Sequence, residues 1–332
     1  MKKRIAVWGT DRRCAMWYWW LKEHYEIVCF VDGESNGASR IDGIDLISKH
    51  ELGRYPYEAV IVVTDGQESE IVNGALEMGI AHGVYTLDDF VAREGLVGDY
   101  EKKEAERQSK IIKEILEAAD GQVRDYEWMY HKIIEYGVFC FHRKWYKVGS
   151  GIHWSFEGVQ QVPEEFAEYC VWLSGLSVKT ALELGVYRGR SAYFMCAVLA
   201  RRNPKLRYLM ADMRDRLDYF EQFRKVLPML EKRIPSTSAD FRGQRFDYVF
   251  IDADHSYDAS IADYENVGAY SEVITTFHDI YGHEYDHENG GTVRTWKEVL
   301  ERTRDREHKV FSRHSERWMG IGCVLKNERQ RR

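Results

Sequence analysis

Four aspartates in the C-terminal half of the chain are each predicted to stand at the end of a β-strand, and the four strands follow one another along the chain. They are Asp212, Asp240, Asp252 and Asp279. Because the carboxyl ends of parallel strands meet at one edge, where α/β ligands bind, we expect these carboxylates to lie together. A carboxylate there can accept ribose hydroxyls, hold a divalent cation or take a proton. Any one of them could instead cap a helix or close a turn, so the prediction depends on all four.

A glycine-rich turn precedes this series, in the segment Glu183-Leu-Gly-Val-Tyr-Arg-Gly-Arg-Ser191. The pattern predicts a strand, a tight turn and a helix that begins near Ser191. Gly185 and Gly189 let the backbone approach a ligand, and the helix start offers unpaired N–H groups. Dinucleotide and phosphate sites share such turns, but the spacing is not GxGxxG, which argues against NAD here.

Three residues are candidates for holding a nucleoside beside this turn. Asp212 closes the second predicted strand, where a carboxylate accepts both ribose hydroxyls. Asp240 is predicted to end the third strand, and Phe241 beside it is a candidate to stack on adenine.

The elements that must position these residues alternate between apolar runs and helical patterns, which is typical of βα units around a parallel sheet. Strands are predicted at residues 180–187, 207–212, 247–252 and 273–277, with two extended segments at residues 309–314 and 318–325. Helices are predicted at residues 164–173, 191–201, 217–232, 256–270 and 292–303. With the third strand before Asp240, the pattern predicts an α/β fold whose C-terminal sheet has seven strands and a terminal antiparallel hairpin.

The first part of the chain shows a second α/β pattern. Apolar runs at residues 4–8, 26–32 and 59–64, with a helix near 68–78, predict a small Rossmann-like domain over residues 1–95. Of a dinucleotide fingerprint only Gly9 is present, because Asp11 and Arg12 stand where glycines would let a pyrophosphate approach.

Other residues of this domain leave its ligand open. Asp32 follows the second strand, at the place of a ribose-binding acid. Arg12 and Arg13, at a helix start, are candidates to hold a phosphate, and equally they are candidates for exposed surface charges. The segment resembles the small Rossmann-like domains of bacterial sugar-nucleotide modifying enzymes, which implies a nucleotide-sugar or sugar-phosphate docking domain. Residues 96–150 are predicted as a helical linker that packs the two domains together, forms an oligomer contact or is simply solvated.

Three motifs of the C-terminal half, in order, resemble those of the class I methyltransferase group that contains macrocin O-methyltransferase. They are Glu-Leu-Gly-Val-Tyr-Arg-Gly-Arg-Ser at 183–191, Phe-Asp-Tyr-Val-Phe-Ile-Asp-Ala-Asp-His-Ser-Tyr at 246–257 and Phe-His-Asp-Ile at 277–280. The group includes sugar O-methyltransferases and is related to catechol O-methyltransferase. The resemblance covers about residues 159–326, within a domain predicted at 151–328. It implies S-adenosylmethionine bound along Glu183, Gly185, Gly189, Ser191 and Asp212.

The resemblance also implies a divalent cation and a general base. The positions of the cation ligands after the fourth and fifth strands are Asp252 and Asp279. His278 stands beside the second ligand, where a further acid would complete an oxygen-rich site, so Mn²⁺ or Zn²⁺ is an alternative to Mg²⁺. His255 occupies the position of the lysine base of catechol O-methyltransferase, and Asp252 or Asp254 are alternatives for that role.

Composition limits the partners. The chain has 332 residues and a formal net charge of −7, and it lacks a basic stripe, which argues against nucleic acid. No apolar run approaches the roughly 20 residues that span a bilayer. The six cysteines include no CxxC pair, which indicates a reduced, cytoplasmic protein.

These observations predict an S-adenosylmethionine-dependent O-methyltransferase, assisted by a divalent cation, that acts on a small-molecule sugar or nucleotide sugar. One alternative is a non-catalytic nucleotide-binding or scaffold protein with a degenerate methyltransferase fold. A second alternative is an NAD-dependent oxidoreductase that uses the N-terminal domain. The sequence allows a homo-oligomer without fixing its number of subunits.

Overall fold

The computed structural model describes most of the chain and divides it into two compact units. Unit 1 is Met1–Glu104 with Ile134–Gln160, and unit 2 is Ala105–Ile133 with Gln161–Arg332. The segment predicted as a linker is therefore shared between the units. The structure describes residues 1–32, 39–78, 80, 83–140, 147–313 and 318–326.

Unit 1 contains a six-stranded sheet in the order β3-β4-β2-β1-β5-β6. All neighbouring strands are parallel except β3 and β4. The strands are β1 (Arg4–Trp8), β2 (Glu26–Val31), β3 (Ser39–Ile41), β4 (Ile44–Ile47), β5 (Ala59–Val62) and β6 (Val84–Thr86). The helices are α1 (Arg12–His24), α2 (Glu68–Glu77) and α3 (Leu87–Arg93), with a 3₁₀ helix at Lys49–Arg54. Separate apolar clusters pack on the two faces, because β1, β2 and β5 carry apolar residues at successive positions.

Three helices follow this sheet along the chain. They are α4 (Asp99–Glu117), α5 (Asp120–Val123) and α6 (Tyr126–Tyr136). The boundary between the units falls within α4 and again within α6. Among the described residues, no helix is both long enough and apolar enough to span a bilayer.

Unit 2 contains the predicted seven-stranded sheet, in the order β12-β13-β11-β10-β7-β8-β9. The strands are β7 (Thr180–Leu184), β8 (Arg207–Ala211), β9 (Leu230–Arg233), β10 (Tyr248–Ile251), β11 (Ile274–Gly282), β12 (His308–Phe311) and β13 (Trp318–Leu325). The helices are α7 (Pro163–Leu173), α8 (Arg190–Arg202), α9 (Phe220–Val226), α10 (Tyr257–Asn266) and α11 (Gly291–Arg302). Strand β13 is antiparallel to both of its neighbours. The predicted α/β fold and terminal hairpin are confirmed, although His314, at the end of the predicted sixth strand, lies outside the described residues.

The prediction of one helix over 217–232 is wrong. Helix α9 ends at Val226, and β9 begins at Leu230. Pro228 explains the break, because a proline disfavours helical backbone in the residue before it. The third strand therefore ends at Arg233, seven residues before Asp240, so Asp240 does not end that strand.

Strand β11 is longer than predicted and contains an irregularity at the site. It pairs His278 with Ile321 and then Tyr281 with Met319, so Asp279 and Ile280 lie opposite the single residue Gly320. Such a bulge re-aims a side chain, and bulges are frequent next to active sites. Asp279 thus lies within the strand, with a φ of 54° that non-glycine residues rarely adopt.

Candidate active site

The glycine turn after β7 lies against the loop after β10. Gly185 has a φ of +83°, and a Cβ placed on it would lie 2.1 Å from the carbonyl oxygen of Asp252. Gly189, the N-cap of α8, has a φ of +77°, and its Cβ would lie 2.8 Å from side-chain atoms of Leu217 and Tyr193. Only glycine fits either position without displacing its neighbours. The two segments that the sequence predicts for cofactor and cation are therefore in direct contact.

Asp212 follows β8 at the same edge of the sheet, as predicted. Its Oδ2 accepts a hydrogen bond of 3.0 Å from the backbone N–H of Tyr187, within the glycine turn. Its Oδ1 accepts one of 2.9 Å from the N–H of Arg214. Each carboxylate oxygen can accept a further donor, so these bonds orient the group without saturating it. Met213 beside it is 61% exposed, and it is a large apolar side chain that the sequence did not single out.

The structure places Asp240 and Phe241 away from the strand end at which they were predicted. Asp240 lies in a 3₁₀ helix, where its side chain accepts a hydrogen bond of 2.9 Å from the N–H of Thr237 in a capping box. Phe241 is fully buried in the core of unit 2, so its ring faces are not available to stack on an adenine. The physical reason is burial, since an aromatic side chain on the covered face of a loop packs as core.

Glu183 is buried one residue before the end of β7. The hydroxyl of Tyr208 donates to its Oε2, and Ser191 contributes a second hydrogen bond. The other oxygen, Oε1, is buried and has no hydrogen-bond partner among the described residues. Burial raises the pKa of Glu183 from 4.5 to about 8, and the hydrogen bonds from Tyr208 and Ser191 only partly oppose this. An unmatched buried acceptor at the glycine turn suits a ligand that brings an N–H donor.

Glu183 gives the apoprotein a specific pH dependence. A carboxyl group whose folded pKa is raised stabilises the fold at low pH, and this stabilisation is lost as the pH rises towards the folded value. The window here runs from about pH 4.5 to about pH 8. For the wild type we expect the free energy of unfolding to fall by at most about 3 kcal/mol between pH 5 and pH 8. Glu183→Gln, which mimics the neutral acid, should not show this fall. Urea denaturation of both proteins across this range measures it, and parallel pH profiles would contradict the assignment.

A cluster of two carboxylates and two imidazoles lies beside the glycine turn. The Nδ1 of His278 lies 3.3 Å from Oδ1 of Asp252 and 3.5 Å from Oδ2 of Asp279. The Nε2 of His255 lies 3.0 Å from the same oxygen of Asp279 and 3.5 Å from that of Asp252. Ligand atoms of Asp252, His278 and Asp279 all lie within 4.8 Å of one another. The donor set and its compactness fit a divalent cation.

The charges in this cluster are strongly coupled. Burial lowers the pKa of His255, but hydrogen bonds to Asp252 and Asp279 outweigh it and raise that pKa to about 10. The pKa of His278 also rises well above its usual value, because the two carboxylates outweigh burial. Burial raises the pKa of Asp279, but the neighbouring imidazoles outweigh it and hold that pKa low. The carboxylates therefore hold protons on both imidazoles unless another cation balances their charge.

The backbone and ring of His255 are held in place. Its ring stacks on Tyr285, with ring centroids 4.4 Å apart and planes 14° apart. Its carbonyl oxygen accepts a hydrogen bond of 3.1 Å from the N–H of Thr292. Gly291 has a φ of +54°, and a Cβ there would lie 2.4 Å from Cβ of Tyr285. Sequence reasoning missed Tyr285 and Gly291, because they lie some 30 residues from His255 and no local pattern joins them.

Three other residues of these loops lie outside the cluster. Asp254 is exposed, and its carboxylate accepts a hydrogen bond from the N–H of Ser256 at the start of α10. His283 and His287 have side chains that are 85% and 72% exposed. Asp254 is therefore a helix-start residue, and His255 is the stronger candidate for the base.

In unit 1, the residues predicted to bind phosphate are engaged by other parts of the unit. The carboxylate of Asp11 accepts hydrogen bonds from the N–H groups of Arg13, Cys14 and Asp65. It thus occupies the start of α1, where a dinucleotide phosphate would bind. Arg12 lies 3.4 Å from Asp65, and Arg13 lies 2.9 Å from Glu68. This arrangement argues against an oxidoreductase that uses this unit.

Two parts of the chain match models of known protein families. Residues 182–280 match a family described as a methyltransferase domain. Residues 1–83 match a family described as C2185-like, N-terminal. A search of curated proteins gives no match. The seven-stranded sheet and the matched family indicate that unit 2 contains an S-adenosylmethionine-dependent methyltransferase domain.

Solved structures with a similar fold include three methyltransferases. An O-methyltransferase from Bacillus cereus in complex with SAH is 15% identical, with a TM-score of 0.40, over 50% of this chain and 82% of that chain. TomG from Streptomyces achromogenes, an O-methyltransferase of tomaymycin synthesis in complex with SAM, is 14% identical, with a TM-score of 0.37, over 50% and 81%. SAH-bound PaMTH1 from Podospora anserina is 14% identical, with a TM-score of 0.39, over 51% and 80%. These values are too low for the activities of those proteins to be transferred to this chain.

Proposed function

We propose that this protein is an O-methyltransferase that transfers the methyl group of S-adenosylmethionine to a hydroxyl of a sugar, a nucleotide sugar or a glycan. We further propose that a divalent cation held by Asp252, His278 and Asp279 assists the transfer. The observation that carries the proposal is the contact between Gly185 and the backbone of Asp252. This contact joins the glycine turn, which we propose binds the methyl donor, to the first residue of the carboxylate–imidazole cluster.

The residues of the glycine turn fit the cofactor. Asp212, which is oriented by the N–H of Tyr187, would accept the ribose hydroxyls, and the exposed Met213 would offer an apolar surface to the adenine. The buried Oε1 of Glu183, which has no hydrogen-bond partner among the described residues, would accept an N–H of the amino-acid portion of the cofactor. When bound, the cofactor supplies an electrophilic methyl group.

The cluster fits the acceptor's chemistry. A sugar hydroxyl is a poor nucleophile and must lose its proton as it attacks the methyl group. A divalent cation supplies a positive charge that lowers the pKa of a hydroxyl close to it. A cation between Asp252 and Asp279 would balance their charge and so release the proton that they hold on His255, and Nε2 of His255 would then accept the proton of the hydroxyl. The stack with Tyr285 keeps the imidazole in one orientation, so the protein holds the base in place before the acceptor arrives.

A sugar as acceptor is supported by the resemblance of the three motifs to the macrocin O-methyltransferase group. A base and a cation site together suit a hydroxyl, since an amine acceptor needs no such help once it is neutral. The alternative of a degenerate scaffold is disfavoured, because strained or crowded positions such as Gly185 and Asp279 retain the residues that the site needs.

Isothermal titration of the full chain with S-adenosylhomocysteine tests the proposal. We expect micromolar binding by the wild type and at least about 100-fold weaker binding by Asp212→Ala, because a charged acceptor for two hydroxyls is lost. Asp258→Ala is the matched control, since Asp258 is an exposed aspartate in the first turn of α10. Methyl transfer from labelled S-adenosylmethionine to a panel of sugars and nucleotide sugars then identifies the acceptor. Absence of S-adenosylhomocysteine binding with and without divalent cation would refute the proposal and favour a scaffold.

A further inference from the structure

His278 is the residue of the cluster whose chemistry restricts the choice of cation. It is 3% exposed and lies on β11, where the backbone pairs with Ile321 of β13. Its Nδ1 faces one oxygen of Asp252 and one of Asp279, at 3.3 Å and 3.5 Å. Both of these contacts are with carboxylate oxygens. A buried imidazole nitrogen directed between two carboxylates is arranged as a third ligand.

The type of ligand atom, oxygen or nitrogen, influences which cation a site prefers. Mg²⁺ prefers oxygen ligands in near-octahedral geometry, whereas imidazole nitrogen suits first-row transition metals, with Zn²⁺ favoured more strongly than Mn²⁺. We propose that the cation site of this protein selects a first-row transition-metal dication over Mg²⁺, with Nδ1 of His278 as a ligand beside Asp252 and Asp279. This inference rests on the proposed function for its catalytic meaning, but its test measures metal binding directly.

The pairing of β11 with β13 sets the backbone position of His278. The imidazole is therefore held beside the two carboxylates. The bulge places Asp279 at a φ of 54°, and Gly320 faces it from β13. A Cβ on Gly320 would lie 2.7 Å from the ring of Tyr281, so the packing of β13 against β11 requires a glycine here. A rigid strand therefore presents His278 and Asp279 as neighbouring ligands, in contrast to the exposed His283 and His287 of the following loop.

The experiment uses the full chain, stripped of metal with a chelator and titrated separately with MnCl₂ and MgCl₂. We expect Mn²⁺ to bind at least tenfold more tightly than Mg²⁺. Pulsed electron paramagnetic resonance of the Mn²⁺ complex should show modulation from a directly bound ¹⁴N nucleus, which changes on labelling histidine with ¹⁵N. Both readouts are independent of methyl transfer, and calorimetry with S-adenosylhomocysteine reports separately on the proposed function.

Three variants identify the nitrogen. His278→Asp supplies an oxygen ligand, and we expect it to lose the ¹⁴N modulation and to shift the Mn²⁺/Mg²⁺ affinity ratio at least tenfold towards Mg²⁺. His255→Gln should retain the modulation, which excludes the neighbouring imidazole as its source. His283→Asp is the matched control, because His283 lies five residues along the chain and is exposed; it should leave both readouts unchanged.

Several outcomes would overturn the inference. Wild-type protein that binds Mg²⁺ as tightly as Mn²⁺, binds neither ion, or shows no ¹⁴N modulation would exclude His278 as a selective ligand. Loss of the modulation in His255→Gln would show that the bound nitrogen belongs to His255 and not to His278. If His278→Asp does not fold, as judged by circular dichroism, the wild-type and His255→Gln measurements decide alone.

Discussion

Replacement of His255 by alanine is expected to lower kcat for methyl transfer by about 10²–10⁴-fold, the range for loss of a general base. The KM for S-adenosylmethionine should change little, because the cofactor residues lie on the glycine turn and at Asp212. The physical reason is that Nε2 of His255 lies 3.0 Å from Asp279 and 3.5 Å from Asp252, and that the stack with Tyr285 holds its ring. Steady-state assays with the acceptor found by screening measure both constants.

Three further variants separate the effect of the base from that of its surroundings. Tyr285→Phe preserves the stacked ring and should keep kcat within about threefold of the wild type, whereas Tyr285→Ala should lower kcat by roughly tenfold through loss of orientation. His283→Ala changes an exposed histidine and should have no effect. A loss smaller than tenfold in His255→Ala would move the role of the base to another group.

Replacement of Gly185 by alanine is expected to abolish measurable binding of S-adenosylhomocysteine. The added Cβ would lie 2.1 Å from the carbonyl oxygen of Asp252 and 2.3 Å from Cα of Ala253, so the backbone of one segment must move. Neither contact is with a flexible side chain, and the displaced segments carry both the cofactor turn and the first cation ligand. We expect a loss of roughly 2–4 kcal/mol in the free energy of unfolding, from overpacking and backbone strain together.

Gly243→Ala isolates the contribution of the backbone angle. Gly243 has a φ of +70°, close to that of Gly185, but a Cβ there would meet nothing within 4 Å. We expect this variant to lose about 1 kcal/mol of stability and to bind S-adenosylhomocysteine normally. Calorimetry and denaturant unfolding of the two variants provide the comparison. If Gly185→Ala binds like the wild type, the close approach between the turn and Asp252 is not required for the site.

The sequence by itself determined the α/β class, the seven-stranded sheet and the order of its elements. These features depend on local periodicity, on the apolar runs of the strands and on glycines at a strand–helix turn. It also predicted that Asp212, Asp252 and Asp279 lie at one edge of the sheet, because parallel strands bring their carboxyl ends to the same edge. Resemblance of the motifs then supplied the chemistry that we propose for these positions.

The tertiary structure decided everything that depends on residues far apart in the chain. It buried Phe241 in the core and assigned Asp240 to a capping box, although both look available in the sequence. It showed that Asp11 occupies the start of α1 in unit 1, a contact completed by Asp65 more than 50 residues away.

The cluster itself is the clearest case. A bulge opposite Gly320 sets the direction of Asp279, and the stack with Tyr285 sets that of His255. Neither follows from local propensity, because a bulge depends on the register between two strands and a ring stack on the path of a loop. The residue types that can do chemistry were thus readable from the chain, whereas their distances and the environments that shift their pKa values arise only when the chain is folded.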